Sequence, residues 1–257
     1  MTEITPGLRV LVTAGAAGIG FAIANAFAKA GARLHVCDVV PDVLANCAKQ
    51  RPDWGTTLCD VSDYAQVETL FKDVQKKLGG LDVLVNNAGI AGPTGGVEAI
   101  TPDDWHRTID VNLNSQFYCT RLAVPMLRQS KDASIICISS VAGRLGYAQR
   151  TPYSTTKWAI IGFMKSLAQE LGPEGIRVNA ILPGIVEGPR IEKVISARAE
   201  ALGKSYDDMK QEYLNKISLR RMVSADDVAN MALYLCSPLG RNVSGQPISV
   251  CGNVETL

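Results

Sequence analysis

Tyr153 and Lys157 stand four residues apart in a stretch with helical patterning, residues 152–171, so their side chains share one face. An ammonium beside a phenol favours the phenolate and lowers its pKa, which makes the pair a usable acid/base near neutral pH. Taken alone, such a pair is more often an ordinary feature of a solvated helix surface. Two neighbours in sequence give it weight. Ser139-Ser140 closes an apolar run just before the loop that leads to Tyr153, and a hydroxyl there can hydrogen-bond a substrate oxygen and stabilise its developing charge. Asn112 lies in an earlier helical stretch and can hold a water that links Lys157 to solvent. Together these residues suit proton transfer at a hydroxyl or carbonyl oxygen.

A second group of residues suits a dinucleotide. The first apolar run, Arg9–Thr13, leads into Thr13-Ala14-Gly15-Ala16-Ala17-Gly18-Ile19-Gly20. Glycines there let the backbone approach a pyrophosphate, and the following helix presents its N-terminus to the anion. The spacing is not G-x-G-x-x-G, and by itself the stretch is also a tight strand-to-helix turn. Asp38 ends the second run, Arg33–Asp38. A carboxylate at that place accepts hydrogen bonds from both adenine-ribose hydroxyls and repels a 2′-phosphate. Val39 and Val40 follow it instead of a basic residue, and Arg33 is at the wrong end of the run, so the expected cofactor is NAD and not NADP. Its oxidised nicotinamide is cationic and reinforces the effect of Lys157 on Tyr153. Cys59-Asp60-Val61, after a third strand, is placed to flank the adenine. Asn86-Asn87-Ala88-Gly89, after a fourth, is placed to approach the cofactor backbone. Each of these is by itself more often a turn.

The elements that must carry these residues alternate. Strands are expected at Arg9–Thr13, Arg33–Asp38, 81–86, 134–139, 176–182 and Pro247–Val250, with helices at 21–29, 63–78, from Thr101-Pro102 onward, at 152–171 and at 224–237. Thr101 and Ser224 are N-caps, the first followed by a proline at the first helical position. Strands that are apolar throughout and separated by helices imply an α/β fold, a doubly wound parallel sheet covered on both faces. No linker divides the chain, so residues 1–257 are expected to form a single domain. Such a sheet binds ligands beyond the carboxyl ends of its strands, where the residues above lie.

Composition narrows the alternatives. The 257 residues are 47% hydrophobic and 20% charged, with a formal net charge of +1, so no global field favours nucleic acid or an anionic membrane. Met1 to Gly7 carries no signal-peptide pattern, and no apolar run is long enough to span a bilayer. The seven cysteines show no metal-ligand spacing and are expected to be buried, reduced thiols of a cytoplasmic protein. His35 and His106 are the only histidines, which disfavours a zinc site or a histidine-based triad, and no metal is expected.

With these residues in view, the chain resembles the short-chain dehydrogenase/reductase family over nearly its whole length. The resemblance rests on residues 13–20, Asp60, Asn86-Asn87-Ala88-Gly89, Asn112, Ser140, Tyr153-Ser-Thr-Thr-Lys157, Pro183-Gly184 and Gly245. It implies a sheet of about seven strands and hydride transfer between a secondary alcohol and a ketone without metal. Tyr153 is then the acid/base, and Lys157 binds the nicotinamide ribose. Ser140, chosen over Ser139 by the family's spacing, orients the substrate oxygen, and Asn112 completes a proton relay. The resemblance also implies cofactor contacts from Gly15, Ala17, Gly18, Ile19, Asp38, Asp60, Val61, Asn87, Ala88, Gly89, Pro183, Gly184 and Val186, and a homotetramer. Three positions depart from the family pattern: Ala14 stands where the first glycine is usual, Gly188 replaces a threonine, and Cys251-Gly252-Asn253 replaces Asp-Gly-Gly.

The substrate is less legible. Residues 188–221 are expected to form a helical lid, with helices at 189–203 and 205–217. Arg150 and Arg144 are placed to face the pocket mouth, and Arg190 opens the lid. Exposed arginines are more often solvated, or paired with Glu187, Glu192 or a neighbouring subunit. The sharper expectation is that Arg150 or Arg190 grips a substrate carboxylate through a two-pronged hydrogen bond. The expected substrate is a sugar, polyol or sugar acid. The rivals are an NADPH-linked 3-oxoacyl reductase, which Asp38 disfavours, and a non-catalytic nucleotide-binding regulator, which the intact Asn112, Ser140, Tyr153 and Lys157 disfavour.

Overall fold

The computed structural model describes residues 4–254 and, within them, every side chain except those of Arg190, Ala197, Arg198 and Ala201. Its strands are β1 (Arg9–Thr13), β2 (Arg33–Asp38), β3 (Gly55–Leu58), β4 (Val83–Asn86), β5 (Ser134–Ile138), β6 (Arg177–Pro183) and β7 (Pro247–Val250). They form one seven-stranded parallel sheet in the order β3-β2-β1-β4-β5-β6-β7. The order turns back between β1 and β4, and the crevice at their carboxyl ends is where a doubly wound sheet receives its ligand. The helices are α1 (Gly18–Lys29), α2 (Pro41–Gln50), α3 (Tyr64–Leu78), α4 (Pro102–Ile109), α5 (Ser115–Leu127), α6 (Thr151–Leu171), α7 (Pro189–Ala201), α8 (Tyr206–Asn215) and α9 (Ala225–Cys236).

The two faces of the sheet carry separate apolar cores. Leu70, Leu127, Ile160 and Met164 of α3, α5 and α6 pack against Leu84 and Ile135 on one face. Ile23, Phe27 and Leu235 of α1 and α9 pack against Val12 and Val36 on the other. Burying each such side chain contributes roughly 1.5–3 kcal/mol, so the strands, and with them the strand ends, are held from both sides. All seven cysteines are buried and free. Among the described residues, no helix is long and apolar enough to cross a membrane.

Caps fix where the helices begin. Asp63 accepts from Ala65 N at α3, Thr101 Oγ1 accepts from Asp104 N at 3.1 Å at α4, and Ser224 forms a reciprocal capping box with Asp227 at α9. Between α4 and α5 the helix does not stop: residues Asp110–Asn114 form a π turn. The sequence suggested an uninterrupted helix there. Helix α2 and strand β3 had no bounds in the sequence reading, because Gly-Thr-Thr-Leu is a weak apolar run at the sheet edge. A third core joins the lid to the sheet: Ile195 of α7, Met209 and Tyr213 of α8, and Ile217 meet Ile185 and Cys251. The Cys251-Gly252-Asn253 stretch thereby gains a structural meaning. Its Gly252 and Asn253 carbonyls accept from Leu219 N at 3.1 Å and Ser218 N at 2.9 Å, tying the base of the lid to the end of the chain.

Candidate active site

Helix α6 starts beside the ends of β5 and β6 and brings Tyr153 and Lys157 into one cavity of about 500 Å³. Lys157 is only 4% exposed. Its Nζ lies 5.6 Å from the centroid of the Tyr153 ring and donates to Ile138 O at 3.0 Å, the last carbonyl of β5. The two serines after β5 part ways. Ser139 is also on the cavity wall, but its Oγ donates to Lys157 O at 2.7 Å, bracing the helix. Ser140 Oγ lines the cavity and accepts from Ala142 N at 3.1 Å, which leaves its own hydrogen for an oxygen in the cavity. The cavity can therefore hold a carbonyl or alcohol oxygen between one hydroxyl that donates and one phenol that exchanges a proton.

Asn112 sits in the π turn and is fully buried. Turns of this type recur at functional sites. Its Oδ1 accepts from Ile90 N at 2.7 Å, and its Nδ2 donates to Ile90 O at 3.0 Å and Thr156 Oγ1 at 3.1 Å. Both amide hydrogens are thus engaged by the chain, so the side chain braces the strand-end loop against α6. Gly89 lies between the two halves of the site: a Cβ there would stand 3.3 Å from Asn112 Oδ1 and 3.5 Å from Lys157 Nζ.

The cofactor wall is built from strand ends. Ala14, Ala17, Gly18, Ile19 and Gly20 line the cavity, as do Asp38, Asn87, Gly89, Pro183, Gly184 and Val186. Ala14 adopts φ +48, the left-handed conformation for which a glycine is the usual choice, so the turn keeps its shape without one. Gly15 faces away from the cavity; its missing Cβ makes room for Val12 O and the side chain of Val36. Asn87 clamps the turn, donating from Nδ2 to Thr13 O at 2.9 Å and Ala14 O at 3.1 Å, while Thr13 Oγ1 accepts from the backbone N of Asn87 and Ala88. Asp38 is 9% exposed, and its Oδ1 accepts from Val40 N at 3.1 Å. Gly15, Asp60, Val61 and Ala88 are not on the cavity wall. The Asp60 carboxylate pairs with Arg107 at 3.0 Å and accepts from Ser62. Burial pushes its pKa up, but those hydrogen bonds and Arg107 outweigh burial and leave it below the usual value.

These residues fit a dinucleotide. A Cβ on Gly20 would lie 2.2 Å from Ala14 O, so only glycine allows this close turn onto the first helical residues, and the N-terminus of α1 opens on the cavity. Asp38 stands on the same wall.

Of the arginines expected at the mouth, Arg144 turns away and donates to Pro247 O and Ser249 Oγ at the edge strand. Arg150 lines the cavity, but its Nη1 donates to Thr94 Oγ1 at 2.9 Å and its Nη2 to Ala91 O at 3.0 Å, so its fork is held by the chain itself. The side chain of Arg190 lies outside the described residues. Gly188 has φ +140, a conformation closed to threonine, so its replacement of the usual residue belongs to the way the lid begins. The loop 141–152 and the segment 188–221, expected from the sequence to line the pocket, bring Tyr147, Tyr213 and Lys216 to the cavity wall, residues the sequence did not single out, and Glu187 joins them from just outside those segments. Lys216 is half-buried, 5.7 Å from the Tyr213 ring centroid. The polar composition of α8 did not show which of its residues face the pocket.

The family model described as enoyl-(acyl carrier protein) reductase matches residues 14–253. The chain is 36% identical over 245 residues to D-beta-hydroxybutyrate dehydrogenase of Cupriavidus necator, covering 93% of this chain and 94% of the relative. It is 34% identical over 256 residues to momilactone A synthase of Oryza sativa subsp. japonica, covering 98% and 91%. A variant of actinorhodin polyketide ketoreductase, solved with NADPH, superposes with a TM-score of 0.91 at 30% identity, covering 96% of this chain and 97% of that one. The chain belongs to the short-chain dehydrogenase/reductase family. It is an oxidoreductase acting on CH–OH groups, with the seven-stranded sheet of that family.

Proposed function

We propose that the protein is an NAD-dependent dehydrogenase, one cofactor-binding domain spanning 1–257, that interconverts a secondary alcohol and a ketone with Tyr153 as acid/base. The observation that carries this reading is the convergence of Ser140, Tyr153 and Lys157 on the cavity that Asp38 and the Gly18–Gly20 turn also line. NAD, when bound, takes the hydride in oxidation and returns it in reduction. Tyr153 takes the proton from the substrate hydroxyl or gives it to the carbonyl oxygen. Ser140 donates its hydroxyl hydrogen to that oxygen and holds it in line. Lys157 keeps a positive charge behind the phenol, and Asn112 fixes the loop and helix that flank it.

Asp38 supports NAD, since its carboxylate can accept from the adenine-ribose hydroxyls and repels a 2′-phosphate. The solved relative that holds NADPH keeps the NADP-linked ketoreductase as the second reading. Within the expected set of sugars, polyols and sugar acids, the wall favours an acid. Val141, Ile185, Ile191 and Val194 offer an apolar stretch, and Lys216 offers a cation beyond it. One relative is named for a hydroxy acid, hydroxybutyrate. A tetramer is supported by Phe117 of α5 and Trp158 of α6, which are 48% and 52% exposed; the seven buried thiols fit a reducing cytoplasm.

The test is NADH formation with a panel of hydroxy acids and matching neutral alcohols, each run with NAD and with NADP. Turnover of an acid with NAD is expected. Preference for NADP favours the ketoreductase, and no turnover with any compound favours the non-catalytic regulator.

A further inference from the structure

Arg150 is the residue just before α6, and the chain is bent hard to bring it there. Gln149 has φ +62, a left-handed conformation uncommon for a residue with a Cβ, and strain of this kind gathers at functional sites. Beyond that bend the guanidinium lies against two rings: its Cζ is 5.5 Å from the Tyr147 centroid and 5.6 Å from the Tyr153 centroid. The rings themselves meet edge to face at 6.5 Å. Its two Nη atoms hold Thr94 Oγ1 and Ala91 O, and Gly95 N donates to Gln149 O at 2.9 Å, so loop 91–95 is fastened to this bend at three points. Arg150 Nε is buried and has no acceptor among the described residues, a cost the site tolerates to keep the group in place. The same loop begins just after Ile90, whose backbone N donates to Asn112 Oδ1 and whose O accepts from Asn112 Nδ2.

We propose that Arg150 is a positioning residue for proton transfer: it pins loop 91–94 to the catalytic tyrosine and fixes a second positive charge beside the Tyr153 ring. This rests on Tyr153 being the acid/base. Arg150 is then not the carboxylate ligand expected from the sequence, because both arms of its fork are engaged by the chain. Two cations flank the ring from the N-cap and the second turn of α6, Arg150 and Lys157, each 5.6 Å from its centroid. The other titratable or charged groups on the cavity wall are Asp38, Tyr147, Glu187, Tyr213 and Lys216. A fixed charge about 6 Å away, in a partly screened site, shifts an acid–base equilibrium by roughly tenfold.

The test compares wild type, Arg150→Met, Arg150→Lys and Tyr153→Phe in the oxidation direction across pH, with NADH binding and melting temperature measured for each. Arg150→Met is expected to move the half-maximal pH of kcat upward by about one unit. At neutral pH that is a roughly tenfold loss of kcat, recovered in alkali, with KM for substrate within about threefold. Arg150→Lys is expected to keep the charge and hold the pH profile within a few tenths of a unit, while losing part of kcat at every pH. An unmoved profile in Arg150→Met, or a KM that rises selectively for an acidic substrate, overturns the proposal. Where Arg150→Met does not fold, Thr94→Val removes one anchor without touching the charge. Lower kcat with an unmoved profile is expected from it, and unchanged kcat overturns the anchoring role. Activity retained by Tyr153→Phe overturns the reading of Tyr153 itself, an outcome separate from any result with Arg150.

Discussion

Ser139 and Ser140 are adjacent at the end of β5 and both line the cavity, yet their hydroxyls are used differently: Ser139 donates its hydrogen to Lys157 O at 2.7 Å, while Ser140 accepts from Ala142 N at 3.1 Å and keeps its own. One braces the helix that carries the reacting pair; the other is free to meet a substrate oxygen. Ser140→Ala is therefore expected to lower kcat by about 10²-fold or more with the fold intact, as loss of an oxyanion donor does. Ser139→Ala is expected to lower stability by about 1–3 kcal/mol and to leave more of kcat. Steady-state kinetics and urea midpoints of the two variants check this. The reverse pattern would assign the substrate contact to Ser139.

Asp38 is expected to set cofactor choice. Asp38→Ala removes a ribose acceptor and a repulsive charge together. The loss of a hydrogen bond to a charged group costs roughly 1.5–3 kcal/mol, so kcat/KM for NAD should fall at least tenfold, while that for NADP holds or rises. Wild-type enzyme that prefers NADP would refute the role given to this carboxylate.

Lys216 reaches the cavity from beyond α8 and lies 5.7 Å from the ring centroid of Tyr213. Lys216→Met keeps the aliphatic stem and removes the charge. KM for a hydroxy acid should rise about tenfold, with little change for the neutral analogue, since a charge-assisted hydrogen bond is lost from one and not the other. Equal effects on both compounds would remove the acid from the proposed substrate class.

His35 is buried in β2, with Nε2 2.9 Å from Thr57 Oγ1. Thr57 in turn donates to Asp73 Oδ2 at 2.8 Å, so Nε2 carries the proton and donates to Thr57. Burial pushes the His35 pKa down from 6.5 to about 4, with Asp73 opposing and Lys77 assisting. The unfolded chain therefore takes up a proton near 6.5 that the folded chain refuses until about 4. Stability is full above the higher value and falls as pH drops between the two, by roughly 2 kcal/mol from pH 7 to pH 4.5. Asp60 and Asp82, whose pKa values are held below the ordinary 3.8, contribute their own loss only in stronger acid. Urea midpoints for wild type should fall over this window, and those of His35→Gln should stay flatter. Parallel slopes for the two proteins would exclude His35 as the source.

The legible part of this site was the part written within single elements. Tyr153 and Lys157 share one helix face, and the turn after β1 and Asp38 at the end of β2 follow their strands directly, so local patterning was enough to pair them. What depends on contacts between elements was not legible. Nothing in Asp110–Asn114 announces a π turn, and only the packed structure reveals that both Asn112 amide hydrogens are already engaged. Arg144 and Arg150 look alike in sequence, but one reaches the edge strand and the other the catalytic ring. Tyr213 and Lys216 join the cavity only because Ile195, Met209 and Ile217 fold the lid onto Ile185 and Cys251. Strand β3 was expected before Cys59 but without bounds, for a related reason: at the sheet edge, with Leu58 exposed, it needs little apolar character to hold its place.

The central claim is that Tyr153 exchanges the proton, and kcat of Tyr153→Phe tests it most directly. The ring and its contacts with Lys157, Arg150 and Tyr147 survive this substitution, and only the transferable proton is removed. NADH binding should remain within a few-fold of wild type, and kcat should fall by at least about 10²–10⁴-fold at every pH. A variant that keeps a tenth of wild-type kcat, with cofactor binding intact, would contradict the account.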